Sequence, residues 1–441
     1  MKNNRIIAYD ALSRVLLQGA YSNLALDQAL RREGLPREQS AFVTALFYGV
    51  LELGPRLDYQ MNAYLKKPAA SLDPEIRIIL QMGFYQLLYM DSVPDRAAVD
   101  ESVRLAGYAR KSSARGLVNG VLRSFLRDGR RERLPDPASP EYPEVRYACP
   151  GWIFSQWTAQ YGPETAARLA EASLGRPPLS VRVNTLKTTS EALARSLGAR
   201  GIAVRPHAWL RDCLLLEGTG SIDGLPEYRE GLFHVQDVSS QLSGLALGAL
   251  PGEKVVDLCA APGSKSFVAA QTMEGRGRIL SCDLHPRKAG LIAKGAERLG
   301  IGCLEALCRD GREYDPALGG ADRVLCDAPC SGLGILRRKP EIKYRPPREA
   351  LPALQRALLE NAARYVKPGG RLVYSTCTTN RAENEEVARL LLSQNFRPFP
   401  LQSLGIFSKI DPMGLCDGVG VTLFPHQMEG DAFYISAFVR V

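Results

Sequence analysis

The sequence predicts a multidomain chain: an all-α domain over residues 1–135, a small α+β region over 145–231 and an α/β domain over 232–441. Three observations support this fold class. The chain has 441 residues, more than one hydrophobic core usually organises. Apolar residues recur at helical spacing up to about residue 130. From Gly252 onward strand and helix patterns alternate, which is typical of a parallel sheet covered by helices.

Three helical segments support the all-α domain. Asp73-Pro74-Glu75 is typical of a helix start, because Asp can cap a helix, Pro fits its first turn and Glu favours its positive end. Apolar residues from Phe42 to Val50 lie on one face of an earlier helix, which is predicted to end at Gly54-Pro55. A third helical pattern covers residues 117–125.

A linker follows, marked by Pro135, Pro137, Pro140 and Pro143. Residues 151–174 then have a helical pattern, and Leu179–Asn184 has the pattern of a strand. We therefore expect a small α+β region between the two larger domains.

The α/β domain is predicted to contain a parallel sheet. The expected strands are Lys254–Cys259, Arg278–Asp283, Cys303–Leu307, Arg323–Asp327, Arg371–Ser375 and Phe433–Val439. Helical patterns such as Lys288–Leu299 and Ala350–Val366 lie between them. Ligands of such sheets bind at the carboxyl ends of the strands, so functional residues are expected there.

The net charge of +9 suits a polyanionic partner, although the excess is modest. Its placement is more informative, because eight basic residues lie within one stretch. They are Arg110, Lys111, Arg115, Arg123, Arg127, Arg130, Arg131 and Arg133. A solvated helix face and a track for phosphates explain this stretch equally well.

The N-terminus starts with charge and becomes apolar, as a signal peptide would. Asp10 and Arg14 interrupt the apolar run, however, and its apolar residues recur at helical spacing. We interpret it as an amphipathic helix and expect a cytoplasmic, monomeric protein. No segment approaches the apolar length that spans a bilayer, so no membrane partner is expected.

Ten cysteines could indicate disulfides or metal binding. A long chain without an export signal does not need disulfides, and there is no C-x-x-C pair and only four histidines, so no metal site is expected. Seven cysteines are interpreted as small buried hydrophobic residues: Cys149, Cys213, Cys282, Cys303, Cys308, Cys326 and Cys416.

A tight loop of small residues follows the first strand of the α/β domain and precedes a helix. Its residues are Cys259, Ala260, Ala261, Pro262, Gly263, Ser264 and Lys265. Such a loop can bring backbone N–H groups close to a ligand, and it differs from the G-x-G-x-x-G loop of nicotinamide-binding proteins. Asp283 could bind a ribose diol, and Asp310 could face an adenine amino group. An ordinary sheet with tight turns remains the alternative.

Three motifs at strand ends carry a family resemblance. Asp257–Gly263 reads Asp-Leu-Cys-Ala-Ala-Pro-Gly, Asp327–Gly332 reads Asp-Ala-Pro-Cys-Ser-Gly, and Tyr374–Thr378 reads Tyr-Ser-Thr-Cys-Thr. In order and position they resemble the Nol1/Nop2/Sun family of RNA cytosine-5 methyltransferases. Two further segments are similar to the family's lead-in and C-terminal signatures: Val235–Gln241 and Phe424–Tyr434. Ser264 departs from the family's usual Gly, and Ser266 replaces its usual Thr.

The resemblance implies a Rossmann-like class I methyltransferase domain that uses S-adenosylmethionine. It implies that Cys377 attacks carbon 6 of a cytosine and that Cys330 assists breakdown of the covalent adduct. Asp327 could hydrogen-bond the cytosine and also lie near the cofactor. The residues alone leave the choice of attacking cysteine open, since two neighbouring strand ends offer equal candidates. Lys265 is as well explained by a first-turn helix position as by ligand contact.

The helical domain carries a second resemblance. Phe84–Leu88, Val99–Val103 and Leu117–Leu122 are similar to NusB-type RNA-binding domains. The combination resembles family members that methylate a cytosine of 16S rRNA. The same chemistry on tRNA or another rRNA site is one alternative, and a non-catalytic RNA-binding factor is another. DNA is not expected as a substrate, because Thr376-Cys377 would then have no role.

Overall fold

The computed structural model describes residues 3–347, 349–409 and 418–441. It divides into two units, Met1–Arg176 with Leu336–Pro346, and Pro177–Ile335 with Pro347–Val441. The predicted fold class is confirmed: helices form the N-terminal part, and an α+β region and an α/β domain follow it. None of the described helices is both long enough and apolar enough to cross a membrane.

The first unit is helical. Its helices are α1 (Asn4–Leu16), α2 (Ser22–Glu33), α3 (Arg37–Asn62), α4 (Pro74–Tyr89), α5 (Asp95–Tyr108), α6 (Arg115–Arg127), α7 (Tyr142–Arg146), α8 (Gly151–Tyr161) and α9 (Pro163–Ala172). The core includes Phe84 and Phe125, whose ring centroids lie 4.6 Å apart. Helix α4 begins at Pro74 as predicted, but Asp73 pairs with Lys111 and its side chain does not cap the helix.

The predicted end of α3 at Gly54-Pro55 is wrong, because the helix continues to Asn62. Proline lacks the N–H that would bond the carbonyl of Leu51 one turn earlier. The hydroxyl of Tyr344 donates to that carbonyl at 2.8 Å and replaces the lost hydrogen bond. Gly54 makes room for it, since a Cβ there would lie 2.0 Å from the Tyr344 hydroxyl. The segment 336–346 therefore completes the helix that the proline interrupts.

Acidic neighbours pair with part of the basic stretch. Ion pairs join Lys111 with Asp73, Arg130 with Asp95 and Arg133 with Asp128. The positive charge that this stretch offers to a polyanion is therefore smaller than its sequence indicates.

The second unit begins with a four-stranded antiparallel sheet in the order β2-β3-β1-β4. Its elements are β1 (Leu179–Val183), α10 (Ser190–Ala199), β2 (Ala203–Pro206), β3 (Cys213–Glu217), α11 (Pro226–Arg229) and β4 (Phe233–Val235). Val181, Leu214 and Phe233 belong to a small core of their own. The strand predicted at Leu179–Asn184 is confirmed.

The larger sheet follows. Its elements are α12 (Val238–Ala246), β5 (Lys254–Asp257), α13 (Ser264–Thr272), β6 (Arg278–Asp283), α14 (Pro286–Leu299), β7 (Leu304–Cys308), β8 (Ala321–Asp327), α15 (Leu351–Tyr365), β9 (Val366–Thr376), α16 (Glu385–Ala388), β10 (Phe396–Pro398), β11 (Gly420–Leu423), α17 (Pro425–Met428) and β12 (Phe433–Arg440). The strand order is β10-β12-β9-β8-β5-β6-β7, with β11 paired to β12.

Strands β5 to β9 pair in parallel, whereas β12 runs antiparallel to β9. The chain turns from β5 toward β6 and β7 on one side and returns to β8 on the other. The strand order reverses between β5 and β8, the usual position of a ligand crevice. The short strands β10 and β11 were not among the sequence predictions, because three or four residues give little periodic signal.

Four of the seven cysteines interpreted as buried are indeed buried: Cys149, Cys213, Cys282 and Cys326. The interpretation is wrong for Cys303, which is half-buried, and for Cys308, which is exposed. Both lie at or beside β7, an edge strand whose one neighbour among the described strands is β6. Cys416 lies outside the described residues.

We expect Tyr344→Phe to destabilise the protein by about 1–3 kcal/mol, because the Leu51 carbonyl would lose its donor. Urea unfolding of the full chain measures this effect. Tyr59→Phe is the matched control on the same helix, since the Tyr59 hydroxyl makes no hydrogen bond within the described residues. Equal unfolding midpoints for the two variants would contradict the role assigned to Tyr344.

Candidate active site

The carboxyl ends of four neighbouring parallel strands supply most of the predicted site residues. Strand β5 ends at Asp257, β6 at Asp283, β8 at Asp327 and β9 at Thr376, one residue before Cys377. Because parallel strands end at one edge of a sheet, these residues lie along the same rim.

The small-residue loop connects β5 to α13, as predicted. The Ala260 N–H donates to the carbonyl of Cys282 at 2.8 Å, which fixes the loop against β6. Gly263 has a φ of +107°, and a Cβ there would lie 2.6 Å from the ring of Phe267. Glycine is therefore required at this turn, and Ser264 begins the helix behind it.

Lys265 is an interior cation. Its side chain is 10% exposed, and its Nζ donates to Asp327 Oδ2 at 2.6 Å. Burial is the largest single effect and lowers the pKa of Lys265, but the charge and hydrogen bond of Asp327, with the charges of Asp257 and Cys377, together hold that pKa above its ordinary value. The ion pair joins the loop after β5 to the end of β8, so Lys265 does more than occupy a helix turn.

Asp327 is held on its other side by hydroxyl groups. Ser375 donates to Asp327 Oδ1 at 2.7 Å, and the hydroxyls of Ser243 and Ser375 lie 2.8 Å apart. Sequence reasoning missed both serines. Ser375 was visible as a polar residue at a strand end, but Ser243 is one of three serines in α12 and no local pattern distinguishes it from the others.

Asp257 is buried behind the loop. Ser266 donates to its Oδ2 at 2.7 Å, and Ser281 lies 2.8 Å from the Ser266 hydroxyl. Burial raises the pKa of Asp257 to about 7, and the negative charge of Asp327 acts in the same direction. This carboxyl therefore holds its proton far more strongly than an exposed aspartate does.

The two outer acids differ. Asp283 is buried at the end of β6, where it accepts from the His285 N–H at 3.1 Å. Asp310 lies two residues beyond β7 and is engaged by Arg312, whose guanidinium holds its pKa at about 2. The structure brings Asp310 to the correct rim but pairs it with Arg312 and not with another predicted site residue.

The two cysteines of the motifs meet. Cys330 Sγ and Cys377 Sγ lie 3.0 Å apart, although 47 positions separate them in sequence. The hydrogen bond with Cys377 and burial together raise the pKa of Cys330 well above its ordinary value. Two sulfurs at this distance share one proton more readily than they both ionise.

The segments that resemble the family's lead-in and C-terminal signatures, Val235–Gln241 and Phe424–Tyr434, also contact each other. The Asp431 N–H donates to the carboxylate of Asp237, and the Ser239 hydroxyl donates to the Asp431 carbonyl at 2.7 Å. A Cβ on Gly430 would lie 2.7 Å from that hydroxyl. Phe433, which follows, places its ring centroid 5.1 Å from Lys265 Nζ. The lead-in and C-terminal segments thus bind each other, and the C-terminal segment also contacts Lys265 of the site.

Comparison with known families matches three parts of the chain. Residues 245–439 match a family described as 16S rRNA methyltransferase RsmB/F, and residues 2–127 match the NusB family. Residues 149–223 match the ferredoxin-like domain of RsmF/B-like methyltransferases.

Relatives match over nearly the full length. A protein of Bacillus subtilis (strain 168), described as a probable ribosomal RNA small subunit methyltransferase B, is 35% identical over 98% of this chain and 97% of its own. A Synechocystis protein of the same description is 33% identical over 99% of both chains. The crystal structure named PH0851 covers 100% of this chain and 99% of its own, with a TM-score of 0.83 and 26% identity.

We expect Asp257 to make stability depend on pH. An unfolded aspartate ionises near pH ~4, whereas Asp257 does so at about 7 in the folded chain. Its contribution to stability is therefore complete below about pH 4 and is lost as pH rises to about 7. Asp257→Asn does not titrate, so its melting temperature relative to wild type should rise through this range and then level off. A pH-independent difference would contradict this assignment.

Proposed function

Because this chain belongs to the RsmB/F family of 16S rRNA methyltransferases, we propose that it methylates carbon 5 of a cytosine in 16S rRNA with S-adenosylmethionine as donor. One observation carries the choice of chemistry. Two thiols from separate strand ends, Cys330 and Cys377, lie 3.0 Å apart, beside the Lys265–Asp327 ion pair. A pair of adjacent thiols suits covalent activation of a pyrimidine ring.

The loop after β5 fits the proposed donor. Its turn has no room for a Cβ at Gly263, and the N–H groups at the start of α13 follow directly. The loop residues 259–265 would hold S-adenosylmethionine, with Asp283 on the ribose and Asp310 or Asp327 near the remaining polar groups. When bound, this cofactor supplies an electrophilic methyl group.

Cys377 is the proposed nucleophile. Its thiolate would form a bond to carbon 6 of the cytosine, which breaks the aromaticity of the ring and moves electron density onto carbon 5. Asp327 would hydrogen-bond the amino group and the protonated ring nitrogen of the base, which favours this attack. Its two oxygens are already held by Lys265 and Ser375, so its carboxylate is fixed before a substrate arrives.

Cys330 is proposed to assist breakdown of the adduct. Once carbon 5 carries the methyl group, its proton would leave to a base, the double bond between carbons 5 and 6 would re-form, and the bond from carbon 6 to sulfur would break to release the Cys377 thiolate. Cys330 is placed to take part in this step, since its sulfur lies 3.0 Å from that of Cys377.

RNA access sets a further requirement. Carbons 5 and 6 of a stacked cytosine are out of reach of two half-buried thiols at a strand-end rim, so the target base must be unpaired or flipped out. The NusB-family match of residues 2–127 supports an RNA partner for the helical unit.

Bisulfite sequencing tests this function. Cells that lack the protein should lose 5-methylcytosine at one 16S rRNA position, and re-expressed wild type should restore it. Cys377→Ala should not restore it, although calorimetry should still detect S-adenosylmethionine binding, because the thiol lies outside the loop after β5. Cys303→Ala, a half-buried cysteine beside β7, is the matched control and should restore the mark. Restoration at a tRNA position instead would reassign the substrate, and an active Cys377→Ala would refute the nucleophile assignment.

Adduct trapping separates the two cysteines. Cys330→Ala should accumulate a covalent protein–RNA complex, because attack proceeds while breakdown is slowed. The complex should appear as a slowly migrating band on a denaturing gel, and the double variant Cys330→Ala/Cys377→Ala should lack it. If Cys377→Ala traps RNA and Cys330→Ala does not, the two roles are reversed.

A further inference from the structure

We propose that Glu383 is a positioning residue. It holds the loop around Cys330 (residues 329–331, here the Cys330 loop) and keeps on Cys330 the proton that the two sulfurs share, so that Cys377 attacks. This inference rests on the proposed cysteine chemistry and extends it to a residue outside the three strand-end motifs. Glu383 lies six positions after Cys377, in the turn that precedes α16. Its side chain is buried, with 1% of the residue exposed.

Glu383 and Gln355 together enclose the Cys330 loop. The Ser331 N–H, immediately after Cys330, donates to Glu383 Oε2 at 2.9 Å. The Gln355 amide donates at 2.9 Å both to that same oxygen and to the carbonyl of Pro329, immediately before Cys330. The backbone is therefore fixed on both sides of the thiol by one buried carboxylate and one amide.

The next residue does the same for the other cysteine. Asn384 accepts from the Thr376 hydroxyl at 2.5 Å and donates to the Thr378 carbonyl at 3.0 Å, on either side of Cys377. The hydroxyls of Ser331 and Thr378 lie 2.7 Å apart and join the two loops. One turn of chain thus sets the separation of the two sulfurs.

Charge makes the two cysteines unequal. Within the described part of the chain, the donors to the Glu383 carboxylate are the Ser331 N–H, Gln355 and Asn380, all neutral, so hydrogen bonds hold its negative charge without cancelling it. After the effects of Cys377 and burial, this charge is a further cause of the raised pKa of Cys330. On the other side, burial opposes the ammonium of Lys265, and negative charge on Cys377 favours it, less strongly than Asp327 and Asp257 do.

A sulfur near a buried carboxylate keeps its proton, and a sulfur near an ammonium loses it more easily. With one proton between two sulfurs 3.0 Å apart, the charge of Glu383 favours Cys330 as the sulfur that keeps it. Cys377 is then the sulfur that attacks in this proposal.

The experiment compares Glu383→Gln with Glu227→Gln in the full chain. Glu227 is equally buried, with 2% exposed, but lies beside Arg200 in the smaller sheet region. The first measurement is the rate at which iodoacetamide alkylates Cys330 at about pH 8.5, followed by peptide mass spectrometry. The second is methylation of 16S rRNA, separated into kcat and KM.

For Glu383→Gln we expect alkylation of Cys330 to be about tenfold faster, which corresponds to a shift of about one pKa unit. We also expect kcat to fall at least about tenfold while KM changes by less than about threefold, because the reacting groups and not the RNA-binding surface are disturbed. Glu227→Gln should match wild type in both measurements. Gln355→Leu, which keeps the carboxylate but frees the Pro329 carbonyl, should lower kcat with little change in alkylation.

Unchanged alkylation in a folded Glu383→Gln protein would overturn the control of the proton, even if kcat falls. Unchanged kcat would overturn the positioning role. If Glu383→Gln does not fold, Glu383→Asp replaces it: retained charge should keep Cys330 slow to alkylate, and fast alkylation would overturn the proposal. Absence of 5-methylcytosine with wild-type protein would refute the proposed function, whereas the alkylation comparison would still decide the role of Glu383.

Discussion

The parallel pairing of β5, β6, β8 and β9 is the constraint on which the rest of the site depends. The carboxyl ends of parallel strands lie at one edge of the sheet. Short motifs that are far apart in sequence therefore become neighbours as soon as their strands pair. Antiparallel β12 adds to the same rim from the opposite direction, because Tyr434 pairs with Thr376 in register. That register places Phe433 where its ring faces the ammonium of Lys265.

Bringing these ends together places several acids in a buried region around the ammonium of Lys265. Lys265 faces Asp327 directly, and Asp257 lies close enough for its charge to favour the same ammonium. One ammonium cannot offset two carboxylates and two thiolates at low dielectric, so some of these groups must retain protons. Asp257 does so behind the loop, and Cys330 does so at the rim. Proton retention is thus a consequence of how the sheet collects its strand ends.

Periodicity and motif position were enough to predict the fold class, the parallel strands β5 to β9 and the placement of Cys330 and Cys377 at neighbouring strand ends. The expectation that Phe433–Val439 joins the parallel sheet is wrong in direction, because this strand runs antiparallel to β9. They failed where one segment depends on another far away. The helix through Gly54-Pro55 looks interrupted in sequence, and only Tyr344, almost three hundred positions later, supplies the missing donor. Glu383 and Gln355 were missed for a related reason. Their side chains bind backbone groups on either side of Cys330, the Ser331 N–H and the Pro329 carbonyl. Backbone partners of this kind leave no trace in local hydrophobic pattern.

The same geometry gives the two sulfurs different roles at different stages of the proposed reaction. Before attack, the hydrogen bond with Cys377 is the largest cause of the raised pKa of Cys330. In the proposed reaction, once Cys377 had bonded to carbon its sulfur would carry no charge and would no longer hold that proton in place. Cys330 would then ionise more readily, at the stage where a base is needed near carbon 5. On this proposal, close approach of the two thiols does more than allow both to reach the base, because formation of the first bond would change the acidity of the second group.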